Sequence, residues 1–333
     1  MISLLKRIQK ARRPRCAALV VAAGSAQRMG GVNKLLLDLN GAPVLARTLS
    51  ALQLAERVDE IVVAVREGDI QDTAELCKQY GITKCTRVVA GGADRVESAL
   101  KAALAVRKGT ALLAVHDGAR PLVTPNLVNR VIAAAARTGA AAPAVMVKDT
   151  IKRTAEDGTV EETLDRSTLR AVQTPQVFQS DVLKAALQSA RDGGFSATDD
   201  CSAVERLGKV VWLVEGEEEN LKITTPLDLT IARAILERRK AEAARENAAQ
   251  EPKKAASTRE NAAQEPKKAA STRENAVREP KKAASKQGKP ASGQTEAGME
   301  QTREVSGLGE AASEQAEAQR TEGTGTGGRE ETP

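Results

Sequence analysis

Short apolar runs, rich in Val, Ile, Leu and Ala, recur along this chain, and all but the last are followed by a stretch with helical spacing. Ala17–Ala22 (AALVVA), Glu60–Val65 (EIVVAV), Ala111–Val115 (ALLAV) and Ala141–Val147 are such runs, with a shorter one at Arg87–Val89. Helical patterns lie between and after them, at Pro43–Leu54, Gln71–Tyr80, Val96–Val106 and Asn126–Arg137. Their boundaries carry the expected chemistry: Pro43 in a first turn, Gly81 after a last turn, and Thr124-Pro125 as an N-cap with proline behind it. A strand apolar on both faces has to be covered on both faces. Strands of that kind alternating with helices predict an α/β fold, a mostly parallel sheet with helices on each side.

One stretch breaks the rhythm. Thr150–Arg170 is polar, contains Asp157-Gly158 and is flanked by β-friendly residues, so it predicts a β-hairpin. A polar hairpin that projects from a domain is not stable alone. It is therefore expected to dock on something, with a second subunit as the natural candidate. Regular structure is expected to resume with helices Ser180–Arg191 and Asp199–Leu207 and strand Val210–Val214. Thr225-Pro226 then caps a last helix, expected to end at about Arg239.

The two ends are of different composition. Residues 1–15 form a basic extension with Lys6, Arg7, Lys10, Arg12, Arg13 and Arg15 and no secretory signal pattern. From Arg245 a 14-residue unit, RENAAQEPKKAAST, occurs twice and a variant of it once more, to Lys286. Each unit carries a proline that would break a long helix, and the rest of the chain to Pro333 is almost free of large apolar residues. Such a polymer cannot bury enough surface to offset the entropy of ordering. Residues 245–333 are thus expected to be a disordered low-complexity tail, and 16–240 the folded domain. Nucleic-acid binding by the lysine-rich repeats is considered and not favoured over a merely solvated tail.

Composition excludes several classes of function. The net charge is +6 over 333 residues, a mild excess, and the aromatics are only Tyr80, Phe178, Phe195 and Trp212. A chain that stacks on bases would carry more of both. The four cysteines form no C-x-x-C pair, which argues against a zinc ribbon. One histidine, His116, makes a Ser-His-Asp triad or a His-rich metal site a poor candidate. No apolar run approaches the length of a membrane span. Without a targeting signal or paired cysteines, the expected setting is the cytoplasm.

In an open parallel sheet, ligands bind at the carboxyl ends of the strands. The first such loop, Ala22 to Lys34, is rich in small residues and delivers Arg28 and Lys34. Its spacing fits neither the dinucleotide fingerprint nor the P-loop. Small residues with two cations nevertheless suit a polyphosphate. The second loop carries Gly91-Gly92 and Ser98; the third, His116-Asp117-Gly118-Ala119-Arg120-Pro121, follows the most apolar strand. Asp117 can bind a sugar hydroxyl or a metal-bound phosphate. His116 is expected to be a hydrogen-bonded structural residue, and Arg120 to sit in an internal salt bridge. Two basic turns complete the set: Lys148–Lys152 at the hairpin base and Asn220–Pro226 before the last helix.

Taken together, AAGSAQRMGGVNK, VHDGARP, VKDTIKR, QTPQVF, TDDCSAVE and NLKITTPLDL resemble, in that order, the 2-C-methyl-D-erythritol 4-phosphate cytidylyltransferases of the non-mevalonate isoprenoid pathway. The resemblance covers about Cys16–Leu236. It implies a Rossmann-like nucleotidyltransferase fold whose β-hairpin is a dimerisation arm. It implies transfer of CMP from CTP to 2-C-methyl-D-erythritol 4-phosphate with release of pyrophosphate, with Mg²⁺ held mainly by the CTP phosphates and with contact to Asp117 left open. By resemblance, Arg28 and Lys34 stabilise the transition state at the α-phosphate. Arg166 on the arm and Lys222 position the attacking phosphate. Ala22, Ala23, Gly24, Gly91, Gly92 and Ser98 hold CTP, while Asp117, Thr150 and Thr174 lie close to substrate. Two features depart from the family pattern: Ala26 stands where a second glycine is usual, and the Arg28–Lys34 stretch is one residue shorter. Ribitol-5-phosphate cytidylyltransferase is the nearest rival, and Ala119 and Lys152 favour the methylerythritol enzyme over it. A degenerate scaffold tethered by the basic tail is a rival of another class. Retention of Arg28, Lys34, Arg166 and Lys222 speaks against it.

Overall fold

The computed structural model describes residues 13–24 and 33–246. All of them belong to the first of two units in the chain, Met1–Ala263. The expected basic extension up to residue 12, Arg28 and the repeat tail beyond residue 246 lie outside the described residues.

Ten strands and seven helices follow one another in the described part. They are β1 (Cys16–Val21), α1 (Val44–Leu54), β2 (Glu60–Val65), α2 (Ile70–Gln79), β3 (Cys85–Ala90), α3 (Arg95–Leu104), β4 (Leu112–Asp117), α4 (Pro125–Thr138) and β5 (Ala140–Met146). Then come β6 (Lys152–Thr154), β7 (Val160–Thr163), β8 (Arg170–Val172), β9 (Gln176–Gln179), α5 (Ser180–Asp192), α6 (Asp200–Arg206) and β10 (Trp212–Glu215). A last helix, α7, covers residues 226–246.

The main sheet has the order β10-β5-β9-β4-β1-β2-β3, with β8 pairing beside β9 on β5. Pairs β1–β2, β1–β4, β2–β3 and β5–β10 are parallel, while β9 runs antiparallel to β4 and β5, and β8 antiparallel to β5. The alternation of side chains along β1 shows why the sheet is covered twice. Ala18 and Val20 enter the core under α1, α2, α4 and α7; Ala17 and Leu19 enter the other core, under α3, α5 and α6. Thr124 caps α4 as its sequence predicts, its hydroxyl accepting from Leu127 N–H at 3.0 Å.

The hairpin forms too. Strands β6 and β7 make a two-stranded sheet of their own, turning at Asp157-Gly158, where Gly158 takes φ +85°. That left-handed backbone is the reason glycine stands there. The side chains of β6 and β7 are all exposed.

Four expectations need correction. Strand β4 extends through His116 and Asp117, so both sit on the sheet and not in the loop after it. Pro43 is the N-cap of α1 and precedes its first turn. Strands β8 and β9 were not expected; each spans only three or four residues and forms through long-range antiparallel pairing, which leaves little local pattern. Helix α7 does not stop near Arg239, and Arg245 and Glu246 at the start of the first repeat are helical. Its final turns are Ala, Glu, Arg and Lys, all good helix formers, with an Arg238–Glu242 pair at 3.1 Å one turn apart.

Phe178 on β9 is fully buried between α5 and the sheet. Phe178→Ala is expected to lower stability by about 3–5 kcal/mol, seen as an earlier urea midpoint with an unchanged slope.

Candidate active site

Parallel pairing brings the first and third loops together. The register sets Val21 of β1 opposite Asp117 of β4, so Ala22, Ala23 and Gly24 leave the sheet beside Gly118 and Ala119. From the next pair of strands, Gly91 N–H donates to Val65 O at 2.7 Å and holds the second loop against the first. There is no room between them: a Cβ on Gly91 would lie 2.4 Å from that of Ala23 and 2.9 Å from Ser98 Oγ. The Ser98 hydroxyl fixes the turn by accepting from Gly92 N–H at 3.0 Å and donating to Asp94 O at 2.7 Å.

These loops border a cleft of about 410 Å³. Ala22, Ala23, Gly24, Lys34, Gly92, Ser98, Asp117 and Lys222 line it, as do Asp94 and Arg95. Gly91 packs just behind its wall. Asp117 is the hub. Lys222 Nζ approaches one carboxylate oxygen at 3.1 Å, Arg120 Nε the same oxygen at 3.3 Å, and Arg95 Nη2 the other at 3.4 Å. Burial alone would raise the Asp117 pKa, but Lys222, Arg95 and Arg120 more than offset it and hold the carboxyl well below the usual range. Arg95 also meets Asp200 Oδ2 at 2.6 Å. That carboxyl is fully buried, and burial pushes its pKa up against the pull of Arg95.

The segment before α7 is pinned on both sides. Ile223 N–H donates to Ala119 O at 2.8 Å and Arg120 Nη1 to Asn220 O at 2.6 Å. Lys34 Nζ donates to Ile223 O at 3.0 Å, so Lys34 and Lys222 share one stretch of backbone although 188 positions separate them in sequence. Asn220 itself is buried and donates to Thr174 O at 2.9 Å.

Thr174 lies behind the hub. Its hydroxyl accepts from Asp117 N–H at 3.1 Å and meets His116 Nδ1 at 3.0 Å. The other ring nitrogen of His116 faces Arg120 O at 3.4 Å. A carbonyl there calls for an N–H on Nε2, so Nδ1 takes the Thr174 proton and the ring is neutral. Burial pushes the His116 pKa down to about 4, with Asp117 opposing and Arg120 assisting. His116 and Arg120 make structural contacts, as their places in the sequence lead one to expect.

Arg166 and Thr150 are elsewhere. Both are exposed near the root of the hairpin, where Arg166 donates to Lys148 O at 2.8 Å. Neither lines the cleft. Sequence reasoning missed Arg95 and Asp200 as partners. Their signal was present, one in the second loop and the other in TDDCSAVE, but nothing local shows that they meet across 105 positions.

Among the described residues no three His, Cys, Asp or Glu side chains cluster to hold a metal. Asp117 has both oxygens committed to cations, so the donor set does not fit a metal bound by the chain itself. Among the same residues no helix is long and apolar enough to cross a membrane.

Comparison with known proteins decides the family. The family model of 2-C-methyl-D-erythritol 4-phosphate cytidylyltransferase matches residues 16–238. The chain belongs to this family. Its relatives include the cytidylyltransferase of that name from Bacillus cytotoxicus, 46% identical over 219 residues, covering 66% of this chain and 96% of the relative. That of Pelotomaculum thermopropionicum is 43% identical, covering 68% and 97%. Among solved structures, the 4-diphosphocytidyl-2C-methyl-D-erythritol synthase of Anaerococcus prevotii aligns with TM-score 0.61 at 29% identity, covering 67% of this chain and 96% of the other. The Thermus thermophilus cytidylyltransferase aligns with TM-score 0.54 at 34% identity, covering 66% and 98%. Family membership makes this chain an enzyme of the nucleotidyltransferase class.

The single imidazole gives a direct check of the hub. Its NMR signals should titrate near pH 4 instead of 6.5. Because the unfolded chain binds that proton more readily, His116 should cost about 3 kcal/mol of stability as pH falls from 6.5 towards 4, and nothing above 6.5. Urea midpoints of wild type and His116→Asn across this window measure it; a wild type no steeper with pH than the variant would contradict the neutral ring.

Proposed function

We propose that this chain transfers the cytidylyl group of CTP to 2-C-methyl-D-erythritol 4-phosphate, releasing pyrophosphate, as an early step of isoprenoid precursor synthesis in the cytoplasm. The observation that carries this reading is the cleft at the carboxyl ends of β1, β3 and β4. It joins close backbone approach at Ala22–Gly24 and Gly92 to Lys34, Lys222 and Arg95 on one wall system. Such a site is built for a polyanion.

The substrate phosphate is already a nucleophile, so the reaction needs no general base, and neutral buried His116 is not called on as one. The work is to bring two polyanions together and to stabilise the charge that grows at the α-phosphorus. Lys34, held by Ile223 O, and Arg28 from the same loop serve that charge. Lys222, held by Asp117, positions the attacking phosphate. Asp117 keeps the cations in place, and Thr174 fixes Asp117 from behind without itself reaching the cleft. A divalent ion such as Mg²⁺ enters on the CTP phosphates as part of the substrate.

Arg166 and Thr150 complete the site from a second subunit. The hairpin does not pair with the main sheet, and Met146, Val160 and Val172 leave apolar surface exposed on the arm and at its root. A homodimer whose arms cross covers that surface and brings Arg166 to the partner's cleft. The repeat tail takes no part in the chemistry.

Pyrophosphate release with CTP and Mg²⁺ tests the reaction. Turnover is expected with methylerythritol phosphate and not with ribitol 5-phosphate; turnover with the latter alone would move the chain to the sister activity. Lys34→Ala should lose about a hundredfold in kcat, roughly 3 kcal/mol of transition-state stabilisation. Arg166→Ala should raise KM for the sugar phosphate more than for CTP. Heterodimers of Lys34→Ala with Arg166→Ala should regain activity, since one of their two sites is intact. Verified heterodimers that stay inactive would refute the shared site.

A further inference from the structure

Outside the cleft, a second groove of about 440 Å³ opens at the edge of the sheet between α2 and β3. Its lining includes Cys77, Lys78, Cys85 and Arg87. Cys77 lies in the last turn of α2, and Cys85 is the first residue of β3. The connection folds back tightly: Ile82 N–H donates to Cys77 O at 2.8 Å and Cys85 N–H to Ile82 O at 3.1 Å. This return sets both thiols on the wall of one groove, close enough for each to shift the other's pKa, and Cys85 S–H donates to Arg87 O at 3.8 Å.

We propose that Cys77 and Cys85 form a dithiol that a peroxide oxidises to an intramolecular disulfide at the amino end of β3. The roles of the two sulfurs differ. The neighbouring Cys85 thiol lowers the Cys77 pKa, with burial opposing it, whereas Cys85 is pushed up by Cys77 and by burial. Cys77 is therefore the nucleophile, and the groove with Lys78 and Arg87 gives a small oxidant access to it. Its thiolate attacks one peroxide oxygen; the O–O bond breaks, and Cys77 becomes a sulfenic acid as the other oxygen leaves as water. The Cys85 sulfur then attacks the Cys77 sulfur. The S–O bond breaks, a second water leaves with the Cys85 proton, and the S–S bond forms. Two thiols and one hydrogen peroxide thus give one disulfide and two waters.

The other two cysteines do not share this setting. Cys77 is buried too but lines the groove, whereas Cys16 on β1 and Cys201 on α6 are buried away from it, and burial pushes each of these two thiols far up. Thiols of that kind resist oxidation. The dithiol also lies at the end of β3 away from Gly91 and Gly92, so it does not rest on the assignment of the cleft, and pyrophosphate release is not its readout.

The test treats the native full chain with a small excess of hydrogen peroxide, counts free thiols and maps peptides by mass spectrometry. Two of four thiols should disappear, a Cys77–Cys85 crosslinked peptide should appear, and dithiothreitol should restore both thiols. In Cys85→Ser, dimedone should label Cys77 and the crosslink should be absent. Retention of all four thiols, a crosslink at other positions, or accumulation of Cys77 sulfinic acid without the crosslink would overturn the proposal. So would a Cys85→Ser protein in which dimedone leaves Cys77 unlabelled.

Discussion

Everything that faces the cleft is arranged around one carboxylate. Asp117 ends β4, and Lys222, Arg120 and Arg95 reach its two oxygens from three different parts of the chain. A lone carboxylate at this depth would cost several kcal/mol, and so would three clustered cations. Together they are tolerable, and the cations keep a surplus of positive charge. That surplus suits a site that must receive two negatively charged substrates.

The hub also explains its surroundings. Asp117 N–H is held by Thr174, Thr174 by Asn220 and His116, and Asn220 O by Arg120. Removing one member leaves a buried polar group without its partner, which costs more than a typical hydrogen bond is worth. The neutral state of His116 belongs to this economy of charge. A protonated ring beside Arg120 would add to an already crowded set of cations, whereas a neutral ring takes one proton from Thr174 and gives one to Arg120 O.

The two thiols at the amino end of β3 stand outside this arrangement. The same strand leads to Gly92 in the cleft at its other end, yet its start is an edge facing a groove. Edge position and a tight αβ connection bring two side chains together there. The β-hairpin stands apart as well: its strands pair with each other and their side chains are all exposed.

Much of the architecture was legible in the residues. Uninterrupted apolar runs fixed the parallel strands, because a strand buried on both faces can carry no polar alternation. Thr124-Pro125 and Asp157-Gly158 marked a helix start and a hairpin turn through chemistry local to those residues. The cations at Lys34 and Lys222 and the carboxylate at Asp117 were visible as residues following strands or preceding a helix. What tertiary structure alone decided was who meets whom. Strands β8 and β9 exist through antiparallel partners far away in sequence. Arg95 finds Asp200 across 105 positions, and Lys34 finds the backbone beside Lys222 across 189. Thr174, which matched a position near substrate, proved to stand behind Asp117. Local sequence sets backbone preference and burial period, both short-range effects, whereas the pairing of buried charges is set by the packing of elements that only the closed fold brings together.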